Sequence, residues 1–274
     1  MPAFGGEDAE SYYDEGLTAS MKGDVPTAIK HFEKAIDLDN GMLSAYHQLA
    51  KCYLRLGQTA RGVELLRRVV QHNARMAAAV VDLGYGLLEL GYLEEARKQF
   101  MEALKVQPDN PRANLGLARV CFDEGNWDGA VVLAQEARAK SGDHFAALFL
   151  LGRAAKLAGT GDMADKVLEE ADAVLEKSVE LNPDQPEGYY LRGELAFALE
   201  QFGTALEHYL GADKRADDAR FYTAFGEQFR RADVLAKQGL CMQRLGKLDK
   251  AREIGESVLS LDPDHKIGQA LKEL

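Results

Sequence analysis

The chain has 274 residues, of which 46% are hydrophobic, and a formal net charge of −11 at pH 7. Because phosphate contact needs a basic face, this acidic balance disfavours general nucleic-acid binding and attachment to anionic membranes. The apolar stretches are too short for a transmembrane helix, and the N-terminal MPAFGGEDAE lacks the basic and apolar parts of a secretory signal. We therefore expect a cytoplasmic protein without direct membrane insertion.

Small residues recur along the chain at a spacing of 34 residues. One series, in which the last two gaps are longer, consists of Gly16, Ala50, Gly84, Ala118, Gly152, Gly193 and Gly239. A second series consists of Ala28, Gly62, Ala96, Ala130, Ala171, Ala205 and Ala251. Tandem copies of one helical hairpin explain both series, whereas a single globular core explains neither.

The clearest copy spans residues 77–110. Its first half places Leu83 and Leu87 at helical spacing, and Gly91 predicts the end of that helix. Its second half has a further apolar face, and Pro108 blocks continuation of the second helix. The copy is therefore predicted to be a helix-turn-helix unit.

This order of small residue, glycine, alanine, phenylalanine, alanine and proline resembles the tetratricopeptide repeat. The resemblance implies an all-α fold, namely a right-handed α-α superhelical solenoid of helix-turn-helix repeats with a C-terminal capping helix. We place the copies at 9–42, 43–76, 77–110, 111–144, 145–185, 186–219 and 232–265, and the cap at 266–274. A single solenoid then accounts for residues 1–274, although Glu200 replaces the turn glycine of the sixth copy.

Two inserts interrupt the spacing. The first, of seven residues between Gly159 and Ala171, equals about two helical turns and is expected to lengthen a second helix. The second, at 220–231, contains the aromatic residues Phe221, Tyr222, Phe225 and Phe229. This aromatic stripe either extends the first helix of the last copy backwards and contacts a partner or a second copy, or packs against the sixth copy.

The residues that enzymes and metal sites need are not grouped in this sequence. The glycines are explained by turns and helix crossings, and the six histidines are scattered singly. Cys52, Cys121 and Cys241 lie in different copies and are expected to be inert buried thiols. We therefore predict a non-catalytic protein with no cofactor and no metal.

The resemblance also implies where a ligand binds, because first helices of tetratricopeptide solenoids line a concave groove through positions 2, 5, 6, 9, 12 and 13 of each copy. Here these positions carry eight acids and eight bases, with bases predominating in copies two, four and five. The predicted partner-binding residues are Tyr13, Lys51, Arg55, Val81, Tyr85, Leu88, Arg119, Phe122, Phe149, Arg153, Lys156 and Tyr190. Alternatively, the charged side chains only solvate the groove, and part of the apolar set packs within the repeats.

Together these features predict a protein–protein interaction scaffold or adaptor. It would hold a peptide or helix of a partner protein, one that carries both acidic and apolar residues, in the concave groove. The alternative function is a structural building block that self-associates into a homo-oligomer through its ends or its aromatic stripe.

Overall fold

The computed structural model describes residues 8–141, 145–218, 220–224 and 227–274. The helices in this part of the chain are α1 (Ala9–Met21), α2 (Val25–Leu38), α3 (Leu43–Arg55), α4 (Thr59–His72), α5 (Ala77–Glu89), α6 (Leu93–Val106), α7 (Pro111–Asp123), α8 (Trp127–Ser141), α9 (Phe145–Leu157), α10 (Gly161–Leu181), α11 (Pro186–Ala198), α12 (Phe202–Asp213), α13 (Arg231–Arg244), α14 (Leu248–Leu261) and α15 (Lys266–Lys272). Two strands, β1 (Tyr222–Ala224) and β2 (Glu227–Phe229), lie between α12 and α13. The predicted all-α class is confirmed, and none of these described helices combines the length and apolar character needed to cross a membrane.

Each predicted repeat coincides with one pair of helices joined by a short turn. The first helices of copies one to six begin at the first residue of their copies, and α13 begins one residue before the seventh. Six of the turns contain a glycine with φ between 70° and 82°. A residue without a Cβ adopts this backbone conformation at little cost, which explains the regular spacing of these glycines.

The chain divides into two compact units, Met1–Lys140 and Ser141–Leu274. In the first unit, the second helices α2, α4 and α6 each pack against their own first helix and against the next one. Phe100 of α6 packs between Gly84 of α5 and Gly116 of α7. A Cβ added to Gly84 would lie 2.5 Å from the Phe100 ring, and one added to Gly116 would lie 2.4 Å from it. One buried ring therefore fills the space between two successive first helices, and only glycine leaves room for it.

The first insert does not lie where the small-residue series placed it. A Cβ added to Gly152 of α9 would lie 2.5 Å from Cγ of Leu168 in α10. Leu168 follows Gly152 by 16 residues, the same interval that separates Phe100 from its glycine. Buried Ala164, and not Ala171, is therefore the small residue of the second series in this copy. The seven extra residues follow this contact and extend the C-terminal end of α10.

The predicted lengthening of the second helix is confirmed, because α10 has 21 residues whereas α6 has 14. The extension packs against the start of α11, where a Cβ added to Gly188 would lie 2.7 Å from Val179 Cγ2. Nearby, Arg192 donates to both carboxylate oxygens of Asp172 at 2.8 and 2.9 Å. The sixth copy thus begins roughly 10 Å further along α10 than it would after an ordinary second helix.

The second insert forms a β-hairpin, so the expectation that it extends a helix backwards is wrong. Strands β1 and β2 pair antiparallel, with Tyr222 opposite Phe229. Cross-strand partners lie on the same face of a hairpin, and here both rings are buried. The helix α13 begins only at Arg231, where the backbone N–H of Arg230 donates to the Asp233 carboxylate at 2.7 Å.

The predicted capping helix is confirmed as α15, which packs on α13 and α14. Its Leu271 is buried, and a Cβ added to Gly239 or Gly255 would lie 2.3 or 2.9 Å from it. At its N-terminus, Nδ1 of His265 accepts a hydrogen bond from the Gly268 N–H at 3.3 Å. The helix therefore covers apolar surface of the last repeat. That both units form one continuous solenoid stays a prediction.

Glu200, at the turn where other copies have glycine, has a φ of 61°. The left-handed region costs an L-residue about 1–2 kcal/mol, so we expect Glu200→Gly to be about 1 kcal/mol more stable than Glu200→Ala. Both variants lose the 3.4 Å ion pair of Glu200 with Lys156. The difference between their free energies of unfolding therefore reports the cost of the backbone conformation alone. Chemical denaturation followed by circular dichroism measures it, and equal stabilities would show that this turn stores no such strain.

Candidate partner-binding surface

In the first unit, the first helices α1, α3, α5 and α7 lie side by side in chain order. Arg55 of α3 donates to the carbonyl and hydroxyl oxygens of Ser20 in α1 at 3.4 and 3.3 Å. Tyr85 of α5 donates to the carbonyl oxygen of Arg112 in α7 at 2.8 Å. We define the first-helix face as the exposed and half-buried side chains Tyr13, Leu17, Lys51, Leu54, Arg55, Tyr85, Leu88, Arg112, Leu115, Arg119 and Phe122.

A buried ionic network crosses beneath this face. The carboxylate of Asp82 in α5, which is 7% exposed, accepts hydrogen bonds from Nε2 of His47 in α3 and from Arg112 in α7, both at 2.7 Å. Burial raises the pKa of Asp82, but the hydrogen bond from His47 and the charge of Arg112 outweigh it and hold the pKa below its usual value. Asp82 therefore links three consecutive copies and is not an open charge of the groove.

Tyr85, a predicted groove residue, is held by its neighbours. Its ring lies edge-on to Phe100 with centroids 5.1 Å apart, and the guanidinium of Arg112 stands 5.4 Å from its centroid. Burial raises the pKa of Tyr85 to about 12. Because the side chain is half-buried and hydrogen-bonded, it offers a partner only part of its ring.

Several basic side chains of the face meet acceptors of the chain itself. Arg119 donates from Nε to Asp123, one turn further along α7, at 3.2 Å. Lys51 and Arg55 are exposed, and Arg55 donates long hydrogen bonds to Ser20. The positive field of this face is therefore smaller than the number of its basic side chains suggests. The cations that are most accessible to a partner lie on α3.

In the second unit, the predicted basic residues also have internal contacts. Arg153 stands over the Phe149 ring, 5.3 Å from its centroid. Lys156 donates to the carbonyl oxygen of Ala198 at 2.8 Å and pairs with Glu200. Lys156 therefore stabilises the end of α11, because carbonyl groups at a helix C-terminus attract positive charge.

A second ionic group joins α11, α12 and α13. Tyr209 takes the place of Phe100 in the sixth copy, and its hydroxyl donates to Glu194 at 2.6 Å. Lys237 of α13 approaches the same carboxylate at 2.7 Å. Burial, together with the charge of Glu194, raises the pKa of Tyr209. Glu194 and Lys237 occupy predicted groove positions but are bound to each other.

Three predicted partner-binding residues are buried within their units, so the prediction that they are open to a partner is wrong. Val81, Phe149 and Tyr190 are 1%, 6% and 7% exposed. Each occupies the fifth position of its copy. In these three copies the position packs inward: Val81 belongs to the core of the first unit, and Phe149 stacks on Phe145 with centroids 5.3 Å apart.

The fifth position also explains what the sequence analysis missed. His47 occupies it in the second copy and is buried, although the sequence analysis did not single it out. In the first copy, Tyr13 is half-buried and tilts against Phe32 with centroids 5.8 Å apart. One sequence feature could have revealed the buried contact between His47 and Asp82. A histidine lies at position five of one copy, and an aspartate lies at position six of the next copy.

The aromatic residues of the second insert divide into two groups. Tyr222 and Phe229 are buried and stack on each other with centroids 5.4 Å apart, so the predicted surface contact is wrong for these two. Phe229 also stacks on Tyr190 of the sixth copy, which supports the alternative that the insert packs against this copy. Phe221 remains 37% exposed, and Phe225 lies outside the described residues.

Comparisons with known proteins agree with this architecture. Models of the tetratricopeptide repeat family match residues 81–144 and 233–265. A model described as anaphase-promoting complex, cyclosome, subunit 3 matches residues 21–103. These matches fall on the helix pairs of copies one to four and seven.

Among curated proteins, DnaJ homolog subfamily C member 3 of Homo sapiens is 24% identical over 267 residues. The match covers 93% of this chain and 52% of that protein, so the chain spans about half the length of this relative. A tetratricopeptide repeat protein from Parabacteroides merdae has a similar structure, with a TM-score of 0.67, 13% identity and 98% coverage of both chains. The MamA structure gives a TM-score of 0.54 at 23% identity, covering 65% of this chain and 97% of that one. At these identities the structural likeness shows the fold alone.

The Asp82 network predicts a pH-dependent loss of stability in Asp82→Asn. Because the folded pKa lies below the unfolded value, Asp82 stabilises the native state above about pH 4, and this contribution disappears as the pH falls through the folded pKa. We expect Asp82→Asn to lower the free energy of unfolding by about 2 kcal/mol at pH 7, and by less at pH 3. Urea denaturation at both pH values measures the difference.

Asp123→Asn is the matched control, because it removes a partly exposed carboxylate that pairs with Arg119 within one helix. It should cost less than about 0.5 kcal/mol at pH 7. Equal losses in the two variants would contradict the role assigned to the network.

Proposed function

We propose that this chain, which belongs to the tetratricopeptide repeat family, is a non-catalytic scaffold or adaptor that binds a segment of a partner protein on the first-helix face. The observation that carries the proposal is a set of half-buried apolar side chains along four adjacent first helices. These side chains are Leu17, Leu54, Leu88, Leu115 and Phe122. Apolar surface of this kind, repeated from one copy to the next, is typical of protein contact sites.

The spacing of these side chains suggests the form of the partner. Leu54, Leu88 and Phe122 all occupy the twelfth position, in consecutive copies. Packed helices lie about 8–10 Å apart, and an extended chain rises about 3.3 Å per residue. An extended peptide that crosses the helices would therefore meet one copy with every third residue.

The charges of the face support a partner with acidic as well as apolar residues. Lys51 and Arg55 lie one turn apart on α3 and are both exposed. Arg119 is half-buried on α7, where it shares its charge with Asp123. Carboxylates flanking the apolar residues of the ligand would meet these cations, and the attraction would weaken with added salt.

The proposal also concerns the location of the protein and its oligomeric state. The three cysteines are buried and unpaired by disulfides, as expected in a reducing compartment such as the cytoplasm. Self-association into a homo-oligomer is the alternative function. Light scattering over a range of concentrations separates the two functions, because an adaptor stays monomeric and a building block grows with concentration.

Selection from a displayed peptide library tests the proposed binding mode. We expect the enriched peptides to combine apolar residues at every third position with Asp or Glu. Lys51→Glu together with Arg55→Glu should weaken their binding by about tenfold or more, as measured by fluorescence anisotropy.

Lys98→Glu together with Lys105→Glu makes the same charge change on the exposed side of α6 and is the control. It should leave the affinity unchanged. Peptides without acidic enrichment, or equal effects of the two double variants, would overturn the proposed mode.

A further inference from the structure

Helix α1 presents two carboxylates beside the first-helix face. Glu10 and Asp14 are both exposed and lie four residues apart, that is, about one helical turn. Tyr13 and Leu17 of the face belong to the same stripe of the helix, since residues three and four apart are neighbours on a helix surface. Neither Glu10 nor Asp14 forms an ion pair with any residue that the structure describes. Both carboxylates are therefore available to a ligand.

The stability of α1 does not explain these two acids. The helix contains no Lys or Arg, and like charges four residues apart destabilise a helix. Glu10 lies in the first turn, where the helix dipole favours a negative charge, but Asp14 lies beyond the reach of that effect. The neighbouring Glu15 does have a local contact, because its carboxylate lies 3.1 Å from Nδ1 of His31 in α2. A local cost without a local gain at Asp14 points to a role outside the fold.

The aromatic ring next to these carboxylates suits a guanidinium group. Tyr13 is half-buried, and its ring rests against Phe32 at an angle of 52°. Within the described part of the chain, no cation stacks on the Tyr13 ring. Arginine has a planar group that stacks on aromatic rings and several donors that bind carboxylates, whereas lysine offers a compact point charge. The stripe therefore fits an arginine side chain better than a lysine.

The acids of α1 are offset from the exposed bases of α3. Arg55 donates to Ser20, so the C-terminal ends of α1 and α3 lie side by side. Lys51 follows Glu10 by one copy of 34 residues and seven further positions. Seven positions correspond to about 10 Å along a helix, and adjacent helices lie about 8–10 Å apart, so the two charged pairs are separated by roughly 14 Å. An extended chain spans this distance with about four residues.

We propose that α1 recognises an arginine of the partner, which lies between Glu10 and Asp14 with its guanidinium on the Tyr13 ring. The inference rests on the function proposed above and deepens it, because it adds a basic residue to the acidic and apolar residues of the ligand. The recognised segment is extended and carries Arg and an acidic residue about four positions apart. Arg meets α1 while the acidic residue meets Lys51 and Arg55, so the two charges fix the register of the segment. A segment with acidic residues over α1 is repelled, which adds specificity.

Peptides selected from the displayed library on the parent protein give the first test. We expect them to contain Arg about four residues from Asp or Glu. Glu10→Lys together with Asp14→Lys should weaken binding of the most enriched peptide by at least tenfold, as measured by fluorescence anisotropy. The same double variant should bind a version of that peptide with Glu in place of Arg at least tenfold more tightly than the parent protein does. Loss of the selected peptide without this gain would contradict direct contact.

Glu64→Lys together with Glu94→Lys is the matched control, because it makes the same charge change at exposed positions of α4 and α6. It should leave the affinity for both peptides within about twofold of the parent. Asp14→Asn is the second variant, and it tests whether this acid serves the fold instead. It should weaken the selected peptide about tenfold without lowering the melting temperature, since it removes a like charge from α1.

The possible failures are distinguishable. If Lys51→Glu with Arg55→Glu weakens binding but the changes at Glu10 and Asp14 do not, arginine recognition is overturned and the proposed function stands. If Asp14→Asn lowers the melting temperature, the acid belongs to the fold, and arginine recognition is again overturned. If the library yields no binding peptide, the proposed function itself fails, and this inference fails with it.

Discussion

The contact on which the rest of the structure depends joins each second helix to its own first helix, over an interval of 16 residues. In four copies it pairs a glycine with a large side chain: Gly16 with Phe32, Gly84 with Phe100, Gly152 with Leu168, and Gly193 with Tyr209. A Cβ on any of these glycines would lie within 2.6 Å of the partner, which no close-packed core tolerates without rearrangement. This contact sets how closely the two helices approach and in which register.

The first helices contribute more buried residues than the second helices, as α5 and α6 show. In the first unit one side of the first helices still carries partly exposed side chains, but the chain itself uses part of that side. The fifth position turns toward a neighbouring helix in the third, fifth and sixth copies, as Val81, Phe149 and Tyr190 show, whereas Tyr13 and Leu115 at the same position stay half-buried. Charged side chains of this side also bind each other within the chain, since the Asp82 carboxylate accepts hydrogen bonds from His47 and Arg112 of the two neighbouring copies. What remains open in the first unit is a row of half-buried apolar residues with cations on α3.

The two inserts make the second unit different from the first. The extension of α10 carries the sixth copy further along the helix axis, and the hairpin then lies on the first helix of that copy. The first insert follows the contact of Leu168 with Gly152 in α10, and the second lies between the sixth and seventh copies, so both leave the contact within each helical pair intact. The regular face is therefore formed by the first unit, whereas the corresponding place on α11 is occupied by Phe229.

The sequence by itself determined the helix pairs, their turns, the capping helix and the presence of both inserts, because each depends on a local pattern of small, apolar and turn residues. It did not determine the register of the first insert, since Ala164 and Ala171 are both small and only the contact of Leu168 with Gly152 distinguishes them. It also could not show that the aromatic insert is a hairpin, because aromatic residues at every fourth place suit a helix, whereas stacking on Tyr190 favours paired strands. Which groove residues are open was likewise decided by the tertiary structure, because burial and ion pairing depend on neighbours that lie about one copy away along the chain.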